Sequence, residues 1–253
     1  LAITHNDVQS SGESKNILTQ ETEKVASRYP DGGSQMSTFA AYLSNKYSFN
    51  DKLNMTSGLR YSHILLDAKF VDTTFYQLPF DKLALNTGAV NGTVGFVFLP
   101  NSSWQWNVNF ATGFRAPNVD DVGKIFDSEP GNVIVPNAEL APEYTYNAEL
   151  GFIKYIGEKA KIAATVYYTH LDNAIVRRDF SFNGQDSILY DGELSRVQAL
   201  VNAGKAYVWG YNIQLHLNLT QKLIWKNSFT FTGGEDLIDN IPLRHIPPLF
   251  AQS

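Results

Sequence analysis

Residues Tyr211–Thr220 read Tyr-Asn-Ile-Gln-Leu-His-Leu-Asn-Leu-Thr, an apolar/polar alternation that holds at every position. Successive side chains of a strand point to opposite faces, so Tyr211, Ile213, Leu215, Leu217 and Leu219 share one side. Asn212, Gln214, His216, Asn218 and Thr220 share the other. A period of two excludes an amphipathic helix, whose apolar positions recur every three or four residues. One face therefore meets an apolar medium, either a protein core or a lipid bilayer, and the other meets water.

Composition narrows the choice. The 253 residues suffice for one large all-β domain or two smaller ones. Without cysteine there is no disulfide framework and no thiolate metal site. Lysine plus arginine total 20 against 25 acidic residues, and the basic residues are scattered, which is not the footprint of a nucleic-acid binder. No run of about 18 apolar residues occurs, so no transmembrane helix is expected. The chain starts at Leu1 without an initiator Met or signal segment and stops at Ser253 just after an apolar stretch begins, so both ends read as cut. Aromatics are abundant, with 16 Phe, 13 Tyr and 4 Trp, although the overall hydropathy is slightly polar. Either a large β-sandwich or a transmembrane barrel fits that combination.

The alternation recurs along the chain. Leu53, Met55, Leu59 and Tyr61 oppose Asn54, Thr56, Arg60 and Ser62, and Trp104, Trp106, Val108, Phe110 and Phe114 oppose Gln105, Asn107, Asn109 and Arg115. Tyr144–Phe152, Lys161–Tyr168 and Leu223–Phe231 repeat the pattern, and weaker strand signals lie at 35–46 and 85–98. Short polar turns fall near Tyr47–Asp51, Pro100–Ser103, Ile156–Lys159 and Leu219–Gln221. Between them lie long polar stretches near Asp7–Ser34, Leu66–Asn86, Arg115–Pro142, Phe180–Leu200 and Gly234–Pro247. Strict alternation of short and long connections sends every long loop to one end of the strand array. A sandwich needs no such asymmetry, because its hairpin loops run to about 2–5 residues, whereas an outer-membrane barrel has short turns on one side and long loops on the other. Trp104, Trp106, Tyr155 and Trp225 sit at the short-turn ends, and Tyr61, Phe114, Tyr144, Tyr207 and Trp209 toward the long loops. They are placed as two aromatic girdles at the membrane interfaces. The competing reading is a soluble β-rich surface-binding or carbohydrate-binding protein whose aromatics fill a core.

The run Gly113-Phe-Arg-Ala-Pro-Asn-Val-Asp-Asp121, followed by Val135-Pro-Asn-Ala-Glu-Leu-Ala-Pro-Glu-Tyr-Thr-Tyr-Asn-Ala-Glu-Leu-Gly-Phe152, resembles TonB-dependent outer-membrane receptors. In that family a strand ending in Phe-Arg-Ala-Pro precedes an outward loop. A motif like Asn-Pro-Asn-Leu-x-Pro-Glu then leads into a strand ending Glu-x-Gly. Phe114, Arg115, Ala116 and Pro117 match the first motif outright. Pro136, Asn137, Leu140, Pro142 and Glu143 match the second with one extra residue between Asn137 and Leu140, and Glu149 and Gly151 match the strand end. Asp127-Ser-Glu-Pro-Gly and Ile246-Pro-Pro-Leu-Phe are similar to the Bacteroidetes branch of the family.

The resemblance implies an antiparallel 22-stranded transmembrane β-barrel in the bacterial outer membrane, of which residues 1–253 hold about eight complete strands and two partial ones. Such receptors carry an N-terminal plug and bind scarce ligands at the outer face, among them iron–siderophore complexes, haem, cobalamin and glycans. They draw energy from the TonB–ExbB–ExbD complex through the plug. On this reading the chain is a barrel piece without plug or terminal strands. It has no cofactor and no catalytic role, and its partners are outer-membrane lipid, the energy-transducing complex and a small-molecule or metal-chelate ligand.

Candidate ligand contacts are the aromatic and basic residues in or beside the long loops, Phe75, Tyr76, Phe80, Arg177, Arg178 and Tyr190, together with Arg115. For Arg115 the competing expectation is a wall salt bridge with Glu149, which shares its polar parity. None of His5, His63, His170, His216 and His245 pair at metal-ligand spacing. Haem-uptake members carry a histidine in the loop between the two motifs, and residues 118–135 contain none. Asp120-Asp121, Asp127 and Glu129 read as solvated loop acids rather than a catalytic pair.

Overall fold

A computed structural model of the chain describes residues 1–72, 74, 80–190, 192–243 and 246–253. Its strands are β1 (Ala2–Val8), β2 (Gly12–Lys15), β3 (Thr22–Val25), β4 (Ser34–Asn50), β5 (Leu53–Lys69), β6 (Lys82–Asn101) and β7 (Trp104–Arg115). One helical turn, α1 (Val119–Val122), separates these from β8 (Phe126–Glu129), β9 (Asn132–Val135), β10 (Glu143–Ile156), β11 (Ala160–Asp179), β12 (Ser187–Tyr190), β13 (Glu193–Thr220), β14 (Leu223–Asp236), β15 (Ile241–Pro242) and β16 (Phe250–Gln252). The large sheet runs β1-β4-β5-β6-β7-β10-β11-β13-β14-β15, each strand antiparallel to its neighbour, and it is open. Eight of these strands are long, with partial strands at the two edges. Short turns join β4 to β5, β6 to β7, β10 to β11 and β13 to β14, so every other connection leaves from the opposite end.

The register shows that this is a barrel wall. Leu53, beside its own turn, lies in one cross-strand row with Phe98, Trp106, Phe152, Ala164 and Ile213. Ile213 is seven residues short of the turn at Thr220. A stagger of seven residues over five strand steps, at about 3.3 Å per residue and 4.8 Å per strand, tilts the strands by about 45°. Barrel closure imposes that inclination.

The two faces differ as the alternation requires. One row reads Tyr47, Met55, Phe96, Val108, Leu150, Val166, Tyr211 and Phe231. The adjoining row on the other face reads Lys46, Thr56, Gly95, Asn109, Glu149, Tyr167, Gly210 and Thr232. Phe110, Leu150 and Val166 are each about half exposed, which an aqueous monomer does not tolerate across a whole sheet face. The polar face satisfies itself: Thr169 donates to Asn147 at 2.7 Å, Asn147 to Glu149 at 3.0 Å and Asn212 to Thr230 at 2.7 Å. At Gly210 a Cβ would meet the Tyr167 ring at 2.8 Å, so only glycine lets that lumen-side ring lie flat across the strand. The Tyr167 hydroxyl reaches the Thr232 hydroxyl at 2.9 Å.

Aromatic rings mark both edges of the greasy band. Near the short turns Trp104 stacks on Trp106 at 5.6 Å, both pack on Phe152, and Lys154 Nζ lies 4.5 Å over the Trp104 ring. Toward the long loops are Phe114 with Tyr144, Tyr168 with Tyr207, and Trp209 with Phe231. Tyr155 corrects the sequence reading: it pairs with Lys161 in a row whose next members are His216 and Lys226, so it faces the lumen.

Above the second girdle the polarity inverts. On β5 the outward Leu59 and Tyr61 are exposed, whereas Ile64, Leu66 and Ala68 on the inward face are at most 2% exposed. The inversion lets β5, β6, β11 and β13 run on as hairpin arms beyond the bilayer. Stretches expected as loop, 66–69, 82–86 and 193–200, are therefore strand. An inward apolar row needs a cover, and the loop between β7 and β10 supplies it.

Candidate functional site

The site to be built is the mouth of the wall, where the β7–β10 loop (116–142) folds inward. Proline ends β7 at Pro117, which lacks an N–H for the ladder and is fully buried. Asn118 then caps α1: its side chain accepts from the Asp121 N–H at 3.1 Å, and Asp121 accepts from the Asn118 N–H at 3.0 Å. Arg115 locks this corner, donating from Nη1 to Asp121 at 2.7 Å and from Nε to Glu143 at 2.5 Å. The other Glu143 oxygen accepts from the Ile175 N–H on β11 at 2.9 Å.

The return of the loop is fastened as firmly. Asn137 is buried and donates to the Leu200 carbonyl at 2.8 Å, while its oxygen accepts from the Glu139 N–H. Asn202 on β13 accepts from the Ala141 N–H at 2.7 Å and donates to the Ala141 and Asn173 carbonyls at 2.8 and 2.9 Å. Asn173 sits at a bulge with φ of 58° and donates to the Pro142 carbonyl at 3.1 Å. Between the two ends β9 adds to β13 as the sheet's one parallel pairing among the described residues. Two apolar clusters close beneath: Leu66, Ala68, Leu83, Leu85, Val122 and Leu140, and Ile125, Val133, Val135, Phe182, Val197 and Ala199. The first motif and the second thus clasp one loop over the barrel mouth.

Several expectations change accordingly. Arg115 pairs with Asp121 and Glu143 rather than with Glu149, whose carboxylate accepts instead from Asn147. The sequence parity was right, but Glu143 is the direct cross-strand partner of Arg115, six residues nearer the loop than Glu149. Gly151 belongs to the wall, since a Cβ there would meet the Thr165 hydroxyl at 2.9 Å. Phe80 packs on the first cluster, with its ring 5.8 Å from Phe70, and Tyr190 packs on the second. Arg178 pairs with Asp239 at 3.1 Å, and Arg177 on the same arm is exposed. Phe75, Tyr76 and His245 lie outside the described residues. Among the described residues, Arg115, Phe80, Tyr190 and Arg178 thus make separate contacts: the loop corner, the first cluster, the second cluster and Asp239. His5 bonds Ser37, His63 bonds Tyr61 and His216 bonds Asn218. Among the described residues no group of three metal-ligating side chains occurs.

Two concavities open beside the clasp. One, of about 130 Å³, lies between the β2–β3 hairpin and the 26–31 turn and is lined by Ser10, Ser27, Lys24, Tyr29, Asp31 and Asp72. The other runs between β1 and α1, past His5, Asp7, Tyr29, Met36 and Asp120. Lys24 donates to Asp72 at 2.6 Å, which raises the lysine; that bond, with others from Thr74, holds the Asp72 carboxyl well below the usual carboxylate range. A hydrogen bond to Asp120 pushes the Tyr29 phenol up. Sequence reasoning missed Asn173 and Asn202. The available signal was amide side chains interrupting apolar strand pattern, which also describes ordinary lumen positions.

A profile of the family described as TonB dependent receptor-like, beta-barrel, matches residues 5–252. A hemoglobin and hemoglobin-haptoglobin-binding protein of Haemophilus ducreyi is 25% identical over 226 residues, covering 75% of this chain and 22% of its own length. The pesticin receptor of Yersinia pestis is 25% identical over 182 residues, covering 70% of this chain and 23% of its own length. The chain thus spans about a fifth of the relatives it matches. Among solved structures, the copper transporter OprC superposes on 98% of this chain and 36% of its own with a TM-score of 0.75 at 16% identity. The siderophore receptor PiuA from Acinetobacter baumannii covers 91% of this chain and 32% of its own with a TM-score of 0.63 at 16% identity.

Proposed function

The chain belongs to the TonB-dependent receptor-like β-barrel family of the outer membrane, and from that premise we propose that it forms the ligand-facing part of a receptor for energised uptake of a scarce metal chelate, such as an iron–siderophore complex. The carrying observation is the asymmetry of the wall. Its lipid band is bounded by two girdles, its lumen face is lined by amides and hydroxyls, and all its long loops gather at one mouth. A soluble binding module, the competing reading, has no use for a sheet that is greasy across one entire face.

The rest of the machine is proposed with it: a plug inside the lumen, further strands completing the barrel, and TonB–ExbB–ExbD acting through the plug. Arg115, Phe80, Arg177, Arg178, Tyr190, Phe75 and Tyr76 remain the proposed ligand-side residues, Arg115 through the loop it holds. The absence of histidine from residues 118–135 favours a chelate over haem.

Uptake of radiolabelled ferric siderophore by energised cells tests this reading. Uptake is expected to stop when the gene is deleted and when the proton gradient is collapsed. Undiminished uptake of every ferric chelate offered, in cells lacking the gene, overturns it.

A further inference from the structure

The chain as a whole is acidic, with a net charge of −5, but the lower part of its lumen face has the opposite sign. Along the eight residues of each wall strand nearest its short turn, the lumen side carries Lys46, Arg60, Lys161 and Lys226 against one acid, Glu149. Glu149 is occupied by the Asn147 amide. Among the described residues none of the four cations has an ion pair. Arg60 donates to the Ser62 hydroxyl at 3.0 Å, and Lys161 Nζ lies 5.8 Å over the Tyr155 ring. The three lysines lie lowest, and the turns below them add Lys52, Lys159 and Lys222 against Asp51 and Glu158.

Lys161, His216 and Lys226 are consecutive members of one cross-strand row. At about 4.8 Å per strand the two lysines stand about 10 Å apart. A hollow of about 450 Å³ lies against this row, lined also by Gln214, Ser228 and Gln252. The neighbouring amides already have partners: Gln214 donates to Asn212 at 3.0 Å, and Asn218 bonds His216 at 3.2 Å and donates to the Glu158 carbonyl at 2.6 Å. The ammonium groups are what the wall leaves unanswered. Like charges that face each other across a sheet repel, so an anion seated between the two lysines stabilises the row.

We infer that Lys161 and Lys226 form a lumen-side site for an anionic small molecule, and that the chelate passing this wall carries net negative charge on its oxygens. The inference rests on the uptake reading above and narrows it from metal chelates in general to anionic ones. A cleft lined by one sign of charge focuses its field and concentrates solutes of the other sign. Lysine ammonium groups offer donors in any direction and suit anionic oxygens of varied geometry. Arg60, higher on the same face, and Lys46 extend the positive field around the lumen, while the amides between them treat neutral and charged solutes alike.

The probes are two iron(III) complexes of similar size, the tris-catecholate trianion and the neutral tris-acetohydroxamate, tested by equilibrium dialysis against the intact receptor in detergent micelles. The trianion is expected to bind more tightly, and more weakly as salt is raised. Lys161→Gln combined with Lys226→Gln weakens the trianion at least tenfold and leaves the neutral complex unchanged. The paired Lys→Arg changes keep the preference, and so does Lys154→Gln on the lipid face. Equal binding of the two complexes by the unaltered receptor, or undiminished trianion binding in the paired Gln variant, overturns the proposal. So does a paired Gln variant that melts earlier with its preference intact, because the lysines then serve a carboxylate of the protein itself. Charge preference without energised uptake sinks the uptake reading and keeps the anion site; energised uptake without charge preference does the reverse.

Discussion

Asn202 uses both ends of its amide on the loop that closes the mouth, serving Ala141 twice and Asn173 once. Asn202 and its partners are half-buried, so removing it costs about 1 kcal/mol, the low end of the range for groups left without a bond. Asn202→Ala is therefore expected to open residues 137–143 locally while the wall stays folded. Limited proteolysis and hydrogen exchange confined to that stretch would show it; a loss of the whole barrel's thermal transition would contradict it. Arg115 was legible from the sequence as a paired residue, because its type and its place at a strand end are diagnostic. Its partner was not, since Asp121 and Glu143 meet it only once α1 turns back. Asn202 was invisible for a related reason: an asparagine on a strand looks the same whether it lines a lumen or fastens a loop.

At the scale of elements, the register fixes depth. Ile213 lies seven residues from the short turn, between the girdles, with Phe229 and Ala164 beside it on the lipid face. Arginine near the midplane of a barrel's lipid face costs about 2–4 kcal/mol. Ile213→Arg should lower folding stability into vesicles by that amount, and Asn212→Arg, one residue away on the wet face, by far less. Equal losses in a urea titration would argue against a lipid-facing wall. The β2–β3 hairpin is an element of the opposite kind, tied to the rest through Lys24 and Asp72. The carboxyl is depressed by that contact, so its contribution is complete above the unfolded value of about 4 and is lost as pH falls through the lower folded value. Lys24 is raised, so its share is present below the unfolded value of about 10.4 and is lost only above it. Hydrogen exchange at 22–25 should consequently be flat from pH 5 to 9, after correction for intrinsic rates, and rise in acid. The wall strands were readable because lipid and lumen enforce a period of two. The arms 66–69, 82–86 and 193–200 were not, because there the apolar side turns inward and the polarity rule runs backwards.

At the scale of the molecule, the sheet's two edges decide what this stretch of chain can do alone. Eight strands suffice to close a small barrel, whose interior is just wide enough for side chains to fill. This wall does not suit that closure. Its mouth already contains a folded loop with two apolar clusters, and its lumen face presents amides and hydroxyls suited to a hydrated or protein-filled interior. Among the described residues β1 pairs only with β4, and β14 is met on its far edge only at Ser228–Thr230 and Gly234–Asp236. The unpaired groups that remain are templates for other strands, and inside a bilayer they cannot be left to water. Residues 1–253 produced alone and refolded in detergent are thus expected to associate into species of several chains, whereas the intact receptor stays monomeric. Sedimentation with detergent-matched density distinguishes the two outcomes. A monodisperse single chain with full strand content would mean that β1 and β14 have closed on each other, and that the stagger read from Leu53 to Ile213 belongs to a far narrower barrel than the family's.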